Sequence, residues 1–211
     1  MAIKNRGFFI TFEGIDGCGK TTQAKLLAEY LKTEGFAVLH TREPGGNNLA
    51  EKIREIVLDP EHKISPLAEL FLYQAARSEH TELIIIPALA AGKTIICERY
   101  TDATIAYQGF GRGLPLKIIQ QLNAIATKNI KPQLTILLDL RPESGLNRRM
   151  ARTNQKTDRL ENENIAFHRR VRQGYLRLAK SEPGRIKIFS AIDSVEKTRD
   201  LIREYVRKKL N

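Results

Sequence analysis

Residues 14–21 form the string with the most specific chemistry in this sequence. They read GIDGCGKT and match the pattern GxxxxGK[ST] in full, between an apolar run typical of a strand and a run with helical periodicity. Glycines let successive backbone amides turn toward a phosphate group, and the N-terminus of the following helix adds its positive end. Lys20 is then expected to span β- and γ-phosphates, and the Thr21 hydroxyl to ligate Mg²⁺. The string predicts a loop that binds the phosphates of a nucleoside triphosphate.

Three arginines predict a second ligand. Arg42 and Arg99 each follow a predicted strand, and Arg77 lies in a predicted helix. In an open α/β sheet, ligands bind beyond the carboxyl ends of the strands. Guanidinium groups suit phosphate because they offer paired donors without losing their charge. Together these arginines favour a phosphorylated ligand beside the triphosphate.

The loop alone leaves open a switch GTPase, a motor or DNA ATPase, and a small-molecule kinase. A GTPase should carry an Asn-Lys-x-Asp guanine reader, but the nearest string, TKNI at 127–130, lacks the aspartate. A motor ATPase should carry an apolar strand that ends in Asp followed by a catalytic Glu, whereas Leu140 and Arg141 follow Asp139. Because neither rival class finds its second motif, the sequence favours a kinase.

Strands and helices that alternate along the chain must position these residues. Apolar runs rich in β-formers predict strands at 8–12, 36–40, 94–97, 134–138 and 186–189. Helical spacing predicts helices from 21 to a stop at Gly35, at 49–58, from 66 onward, and at 115–126, 142–150, 165–180 and 195–210. Such alternation predicts an α/β fold with a parallel sheet covered on both faces. The glycine-rich segment 108–114 and the polar segment 153–158 lack periodicity and are predicted to be mobile covers.

Composition narrows the class of protein further. A chain of 211 residues, 42% of them hydrophobic, favours one domain. The net charge of +11 suits nucleic acid, but the basic residues alternate with apolar ones as on solvated helix faces, so we expect no nucleic-acid partner. With no signal-like run and no apolar stretch near the roughly 18 residues that span a membrane, we expect a cytoplasmic protein without a membrane partner. Two cysteines predict neither a disulfide framework nor structural zinc.

Further strings resemble the thymidylate kinase family over essentially the whole chain. They are FEGIDGCGKTT at 12–22, REPGG at 42–46, AAR at 75–77, RY at 99–100, AYQG at 106–109, GRG at 111–113 and DRLE at 158–161. The resemblance implies the P-loop nucleoside monophosphate kinase fold, with a five-stranded parallel sheet flanked by helices. It implies transfer of the γ-phosphate of ATP to dTMP, giving dTDP for dTTP synthesis, with Mg²⁺ as cofactor. It also implies a homodimer and one domain over 1–211, with a lid at about 148–160.

The resemblance assigns residues to the two nucleotides. Those expected at ATP are Gly14, Ile15, Asp16, Gly17, Cys18, Gly19, Lys20, Thr21, Thr22 and Arg148. Those expected at dTMP are Asp16, Arg42, Tyr73, Arg77, Arg99, Thr104, Tyr107 and Gln108. In this set Arg99 resembles the arginine that holds the dTMP phosphate, a task Arg42 shares, and Arg77 the one directed at the thymine edge. Tyr73 resembles an aromatic stacked on thymine, and Tyr107 a ring that crowds the 2′ position.

The resemblance also implies the metal ligands and the catalytic residues. The expected metal ligands are Thr21, Asp16 and Glu98, and the expected catalytic residues are Lys20, Arg99, Arg152, Arg149 and Asp16. Glu98 stands where the family commonly has aspartate and reaches one methylene further. Positions 17–19 hold no arginine, as in the bacterial type whose catalytic arginine comes from the lid, where Arg148, Arg149 and Arg152 are candidates. Another nucleoside monophosphate kinase and a nucleic-acid-stimulated P-loop ATPase stay open as alternatives.

Overall fold

The computed structural model describes residues 7–150 and 157–210, except the side chain of Arg149. Five strands and nine α-helices alternate along these residues. The strands are β1 (Phe8–Glu13), β2 (Val38–Arg42), β3 (Thr94–Glu98), β4 (Leu134–Asp139) and β5 (Ile186–Ser190). The helices are α1 (Lys20–Thr33), α2 (Asn48–Leu58), α3 (Pro66–His80), α4 (Ile86–Ala90), α5 (Thr101–Thr104), α6 (Leu116–Ala126), α7 (Pro142–Met150), α8 (Ile165–Ser181) and α9 (Val195–Leu210). Thr81–Ile85 and Ile105–Gly111 are π-helical.

The five strands form one parallel sheet in the order β2-β3-β1-β4-β5. Alternate residues of β1 face opposite sides, so Ile10 and Phe12 join the core beneath α1, α8 and α9, while Phe9 packs with Tyr100 on the other side. Both sides are covered, which explains why β1 and β4 read as nearly continuous apolar runs. The predicted five-stranded parallel α/β fold is confirmed.

Strand β2 begins two residues later than the sequence predicts. Val38 pairs with Thr94 and Arg42 with Glu98, so Arg42 is the last residue of β2 and does not follow it. Phe36 looked like part of the strand because it is apolar, but it packs against the main core just after α1. The register brings the carboxyl ends of β2, β3 and β1 to one edge, where Phe12 pairs with Glu98.

Helix α3 begins as the sequence predicts, behind Ser65 and Pro66. The Ser65 hydroxyl accepts a hydrogen bond from the Ala68 amide at 3.5 Å, and Pro66 occupies the first turn, where no intrahelical bond is needed from its nitrogen. The helix packs against both α2 and α6. Tyr73 and Arg77 lie on the side of the helix that faces the cleft at the carboxyl ends of the strands.

The first half of the glycine-rich segment 108–114 is a packed helix, so the prediction of a mobile cover is wrong there. Residues 108–111 end the π-helical segment Ile105–Gly111, which packs along α8. A Cβ on Gly111 would lie 2.6 Å from Cε2 of Phe167, so glycine there permits the close approach. Glycine hides helical periodicity, which is why the sequence suggested a loop. Most of the polar segment 153–158 lies outside the described residues.

Buried Asp102 ties α5 to the sheet. Its carboxylate accepts both Nη groups of Arg185 at 2.7 and 2.8 Å and the Thr135 hydroxyl at 3.0 Å. Such a bidentate pair fixes direction as well as distance. The start of α5 is thereby held at β4, and the residues that follow it reach the carboxyl edge of the sheet.

Among the described residues, no helix is long and apolar enough to cross a membrane.

Candidate functional site

The loop between β1 and α1 is shaped before any ligand enters. Lys20 folds back over the loop, and its Nζ donates to the carbonyl oxygens of Gly14 at 3.1 Å and Ile15 at 2.9 Å. Gly17 has φ of 78°, and a Cβ there would lie 2.5 Å from the Gly145 carbonyl oxygen. The glycine thus allows a backbone path that other residues would strain. The loop leads directly into α1, so the positive end of that helix faces whatever the loop holds.

Arg99 lies beside this loop in a strained backbone conformation. Its φ is 67°, in the left-handed region, which costs a non-glycine residue about 1 to 3 kcal/mol. Two hydrogen bonds hold the turn: the Arg99 amide donates to Phe12 O at 2.9 Å, and the next amide, of Tyr100, donates to Glu13 Oε1 at 2.7 Å. This turn aims the guanidinium back toward the loop, where it donates to Gly14 O at 3.2 Å.

Asp16, Arg99 and Tyr107 form one hydrogen-bonded group. Arg99 Nη2 contacts Asp16 Oδ1 and donates to the Tyr107 hydroxyl at 3.1 Å, and that hydroxyl donates to Asp16 Oδ2 at 2.8 Å. Burial opposes the charge of Asp16, but the cations of Arg99 and Lys20 outweigh burial and hold its pKa well below the ordinary value. The three predicted residues therefore come together, with Asp16 and Arg99 ionised and the neutral Tyr107 hydroxyl bonded to both.

An open cleft with an empty volume of about 540 Å³ adjoins this cluster. Every residue predicted at the acceptor lines it except Arg42, namely Asp16, Tyr73, Arg77, Arg99, Thr104, Tyr107 and Gln108. Residues from the P-loop, α3, the strand edge and the π-helical segment thus converge on one cavity.

Arg42 does not reach this cleft. Its side chain is half exposed and pairs with Glu51 at 3.0 Å. Arg54 of α2 lines the cleft instead, with Nη1 donating to Pro44 O at 3.0 Å. Sequence reasoning missed Arg54 because it searched strand ends. The available signal was helical spacing, since Leu58, one turn further along α2, also lines the cleft.

Arg77 is held rigidly in the cleft wall. Its buried guanidinium donates to Glu43 at 2.8 Å, Thr104 at 2.7 Å, Asn123 at 2.9 Å and the Tyr100 carbonyl at 2.9 Å. Arginine has five N–H groups, so within the described part of the chain one of them, on Nη2, keeps no protein acceptor. A buried guanidinium in a fixed fork can present that N–H to a ligand with little loss of side-chain entropy.

Glu98 contacts a hydroxyl group and a histidine ring beside the phosphate loop. The Thr21 hydroxyl donates to its Oε2, and His40 Nε2 lies 3.1 Å from its Oε1. Burial would raise the pKa of Glu98, but the hydrogen bonds from His40 and Thr21 lower it, so the group stays a carboxylate. A hydroxyl and a carboxylate in contact suit a hard cation such as Mg²⁺. In the ranges 7–150 and 157–210, no set of three His, Cys, Asp or Glu side chains could hold a metal by itself.

A second cleft, with an empty volume of about 920 Å³, opens on the other side of the loop. Gly17, Cys18, Gly19 and Thr22 line it, and Arg148 of α7 closes one side by donating to Ala191 O at 2.8 Å. The other two candidate lid arginines cannot be placed. The side chain of Arg149 and all of Arg152 lie outside the described residues.

Glu13 belongs to the site although sequence reasoning gave it no role. It is fully buried at the end of β1, and the Tyr175 hydroxyl donates to its Oε2 at 2.8 Å. Arg99 Nη1 donates to the same hydroxyl at 3.3 Å, so Glu13 holds both the backbone and the side chain of the Arg99 region. Burial and the nearby charge of Asp102 raise the pKa of Glu13 to about 7. Its only sequence signal was a carboxylate at the end of a buried strand.

Comparison with known proteins gives one consistent family. The family model described as thymidylate kinase matches residues 12–202. The chain is similar to the thymidylate kinase of Geotalea daltonii, with 52% identity over 97% of this chain and 99% of that protein. It is 49% identical to the thymidylate kinase of Citrifermentans bemidjiense over 97% of this chain and 93% of that one. A crystal structure of thymidylate kinase from Ehrlichia chaffeensis covers 96% of this chain and 99% of its own, with a TM-score of 0.78 and 35% identity.

The raised pKa of Glu13 predicts a pH-dependent stability. The folded protein holds this proton up to about pH 7, whereas an ordinary glutamate releases it near pH 4.5. The stability that Glu13 contributes is therefore full below pH 4.5 and is lost as the pH rises through about 7. In urea unfolding, we expect the wild type to lose about 3 kcal/mol more than Glu13→Gln between pH 4.5 and 7.5.

The glutamine variant keeps a carbonyl oxygen for the Tyr100 amide, so the comparison isolates the titration. Other titrating groups are common to both proteins and cancel in the difference. Parallel stability curves for the two proteins would show that Glu13 does not titrate in this range.

Proposed function

This chain belongs to the thymidylate kinase family and transfers the γ-phosphate of ATP to dTMP, and we propose that its two clefts hold these nucleotides on opposite sides of the phosphate loop. One observation carries the assignment. Gly17 and Gly19 of the loop line the larger cleft, while Asp16 of the same loop lines the smaller one beside Arg99. A donor phosphate held by the loop amides would therefore lie next to an acceptor phosphate held by Arg99.

Phosphoryl transfer requires the protein to align the two nucleotides and to supply positive charge around the transferred group. A phosphate oxygen of dTMP attacks the γ-phosphorus, the bond from that phosphorus to the β,γ-bridging oxygen breaks, and ADP leaves with the bond electrons. The attacking oxygen is already anionic, so no general base is needed. We assign Lys20 to the β- and γ-phosphates and Arg99 to the dTMP phosphate. Asp16 keeps Arg99 aimed, because the carboxylate contacts the guanidinium directly.

Mg²⁺ fits the oxygen donors at the loop, and we propose Thr21, Glu98 and Asp16 as the residues that hold it, directly or through water. When bound, the ion would neutralise charge on the β- and γ-phosphates. The contact between Thr21 and Glu98 supports this assignment, since both groups would move together onto a cation. The longer reach of glutamate lets Glu98 contact the Thr21 hydroxyl while it also accepts from His40.

The acceptor cleft suits a pyrimidine deoxynucleotide. Arg77 offers one N–H to a base carbonyl, and Tyr73 supplies an aromatic ring in the same cleft. The Tyr107 ring lies over the Arg99 guanidinium, with 4.8 Å from Cζ to the ring centroid, which supports its assignment beside the phosphate and the sugar. Discrimination of thymine from uracil depends on one methyl group, which is worth about 1 to 3 kcal/mol in a pocket.

We propose that residues 1–211 act as a single domain in the cytoplasm, with a lid at about 148–160. One core cluster joins residues of β1, α1, β4, α8 and α9, which supports the single domain. Both cysteines are buried free thiols, as suits a reducing compartment. Cell fractionation tests the location: activity that sediments with membranes would contradict it.

We also propose that two copies of the chain pair through α2, α3 and α6. These helices pack together and expose large apolar side chains, among them Ile56, Leu67, Phe71 and Ile118. Exposed apolar side chains grouped on adjoining helices are typical of a subunit interface. Leu67 and Phe71 are one turn apart on α3, so they form a common surface.

The reaction predicts a preference among acceptors. In a coupled ADP-release assay with ATP and Mg²⁺, we expect dTMP to be used well above dUMP, dCMP, AMP and GMP. Single-stranded DNA should not stimulate ADP release, and chelation of Mg²⁺ should abolish it. ADP release that depends on DNA and not on a monophosphate would contradict the kinase assignment. Preference for another monophosphate would instead indicate a different nucleoside monophosphate kinase.

The missing arginine at 17–19 predicts that the lid supplies catalytic charge. We expect Arg149→Ala or Arg152→Ala to lower kcat by about 10³-fold. The KM for dTMP should change little, because such an arginine acts on the transition state. Arg199→Ala is a matched control, since this partly exposed arginine pairs with Asp200 on α9. Near-normal turnover in both single variants and in the double variant would remove the lid from the mechanism.

The apolar surface on α3 predicts the oligomeric state. We expect the wild type to sediment as a dimer and Phe71→Glu as a monomer, because the substitution puts a charge into a desolvated contact. Ile188→Glu is the control, since Ile188 is similarly exposed but lies on the edge strand β5. A monomeric wild type, or a dimer in both variants, would contradict the proposed interface.

A further inference from the structure

Glu69 is a buried carboxylate for which the phosphoryl transfer itself has no use. It lies on α3 with no exposed surface. Its Oε1 accepts from Gln108 Nε2 at 2.8 Å and from Arg112 Nε at 3.2 Å. Its Oε2 accepts from Arg112 Nη2 at 3.0 Å and lies 2.7 Å from Arg159 Nη2. Two guanidinium groups and one amide therefore contact a single buried carboxylate. Burying charged groups costs free energy, so we expect this arrangement to be kept because it positions the segments that carry them.

The position of Glu69 on α3 links it to the acceptor cleft. Glu69, Tyr73 and Arg77 are spaced by four residues, so they lie on one side of the helix in successive turns. Tyr73 and Arg77 line the cleft, and Glu69 lies one turn before them. The carboxylate therefore fixes the same side of α3 that carries two acceptor residues.

The partners of Glu69 come from the other two walls. Gln108 lines the cleft from the π-helical segment, and Arg112 follows directly after that segment. Arg159 lies between Asp158 and Leu160, which both line the cleft. The Arg159 side chain also donates to Val57 O at 3.0 Å, and its amide donates to Leu58 O at 2.9 Å. Residues 158–160 are thus fastened to α2 and to Glu69 together.

We propose that Glu69 is a positioning residue that sets the width of the acceptor cleft by tying its three walls together. It touches no substrate and acts through Gln108 and Arg159. The inference rests on the assignment of this cleft to dTMP and adds the residue that holds its shape. An electrostatic tie suits the task because one carboxylate can accept from several segments at once, and charge-assisted hydrogen bonds are stronger and more directional than neutral ones.

The test compares Glu69→Gln with Glu163→Gln. Glutamine has the shape of glutamate, but its amide group brings N–H donors toward the donors of Gln108 or the arginines. We expect Glu69→Gln to raise the KM for dTMP about tenfold, to leave the KM for ATP within about twofold, and to lower kcat by less than about threefold. Glu163 is the outer, partly exposed partner of Arg112, so Glu163→Gln removes one ion pair of the same arginine without touching the tie. Its KM for dTMP should stay within about twofold of the wild type.

The pattern of kinetic constants separates positioning from general stability. A KM for dTMP that is unchanged in Glu69→Gln would overturn the proposal, and so would an equal loss of affinity for both nucleotides. If Glu69→Gln shows no cooperative thermal unfolding, Arg159→Lys decides, because lysine keeps the charge but cannot bridge Glu69 and Val57 as the guanidinium does. A folded Arg159→Lys with an unchanged KM for dTMP would overturn the proposal. A wild type that does not phosphorylate dTMP would overturn the function itself, whichever way the variants behave.

Discussion

The contact between Arg99 and Asp16 joins the two halves of this site at the point where negative charge must accumulate. Asp16 belongs to the phosphate loop, and Arg99 turns back from the end of β3 to meet it. Without a cation between them, two phosphate groups brought together would repel each other strongly in a partly buried space. The carboxylate keeps that cation oriented before the nucleotides arrive. The strained φ of Arg99 is the structural cost of aiming it there.

Buried carboxylates stabilise the other arginines in a similar way. Glu43 accepts a hydrogen bond from Arg77, and Glu69 accepts from Arg112 and forms an ion pair with Arg159. Each buried anion is expensive alone, and each is compensated by charge and by further hydrogen bonds. The result is a set of guanidinium groups with few rotameric choices. Rigid donors of this kind lose little entropy when a phosphate or a base binds.

Sequence reasoning predicted the parts of this protein that depend on local pattern. The loop at 14–21 is a contiguous motif beside a strand and a helix, and the alternation of apolar runs predicted all five strands and the α/β class. It placed Arg77 and Arg99 in the cleft through their strings. It could not find Arg54, Glu13 or Glu69, whose importance comes from partners far away in the chain. The π-helical segment was missed because glycines that permit close packing look like those of a loop.

Two different sides of helix α3 have separate roles. Glu69, Tyr73 and Arg77 lie on the side toward the acceptor cleft, while Leu67 and Phe71 are exposed on another side. Inserting or deleting one residue would turn everything beyond it by about 100° and displace it by about 1.5 Å. Either change would misplace both sides at once, and no compensating change on one side could restore the other. Variation in length during evolution should therefore be confined to the segment before Ser65, and α3 itself should keep a constant number of residues between Ser65 and Arg77.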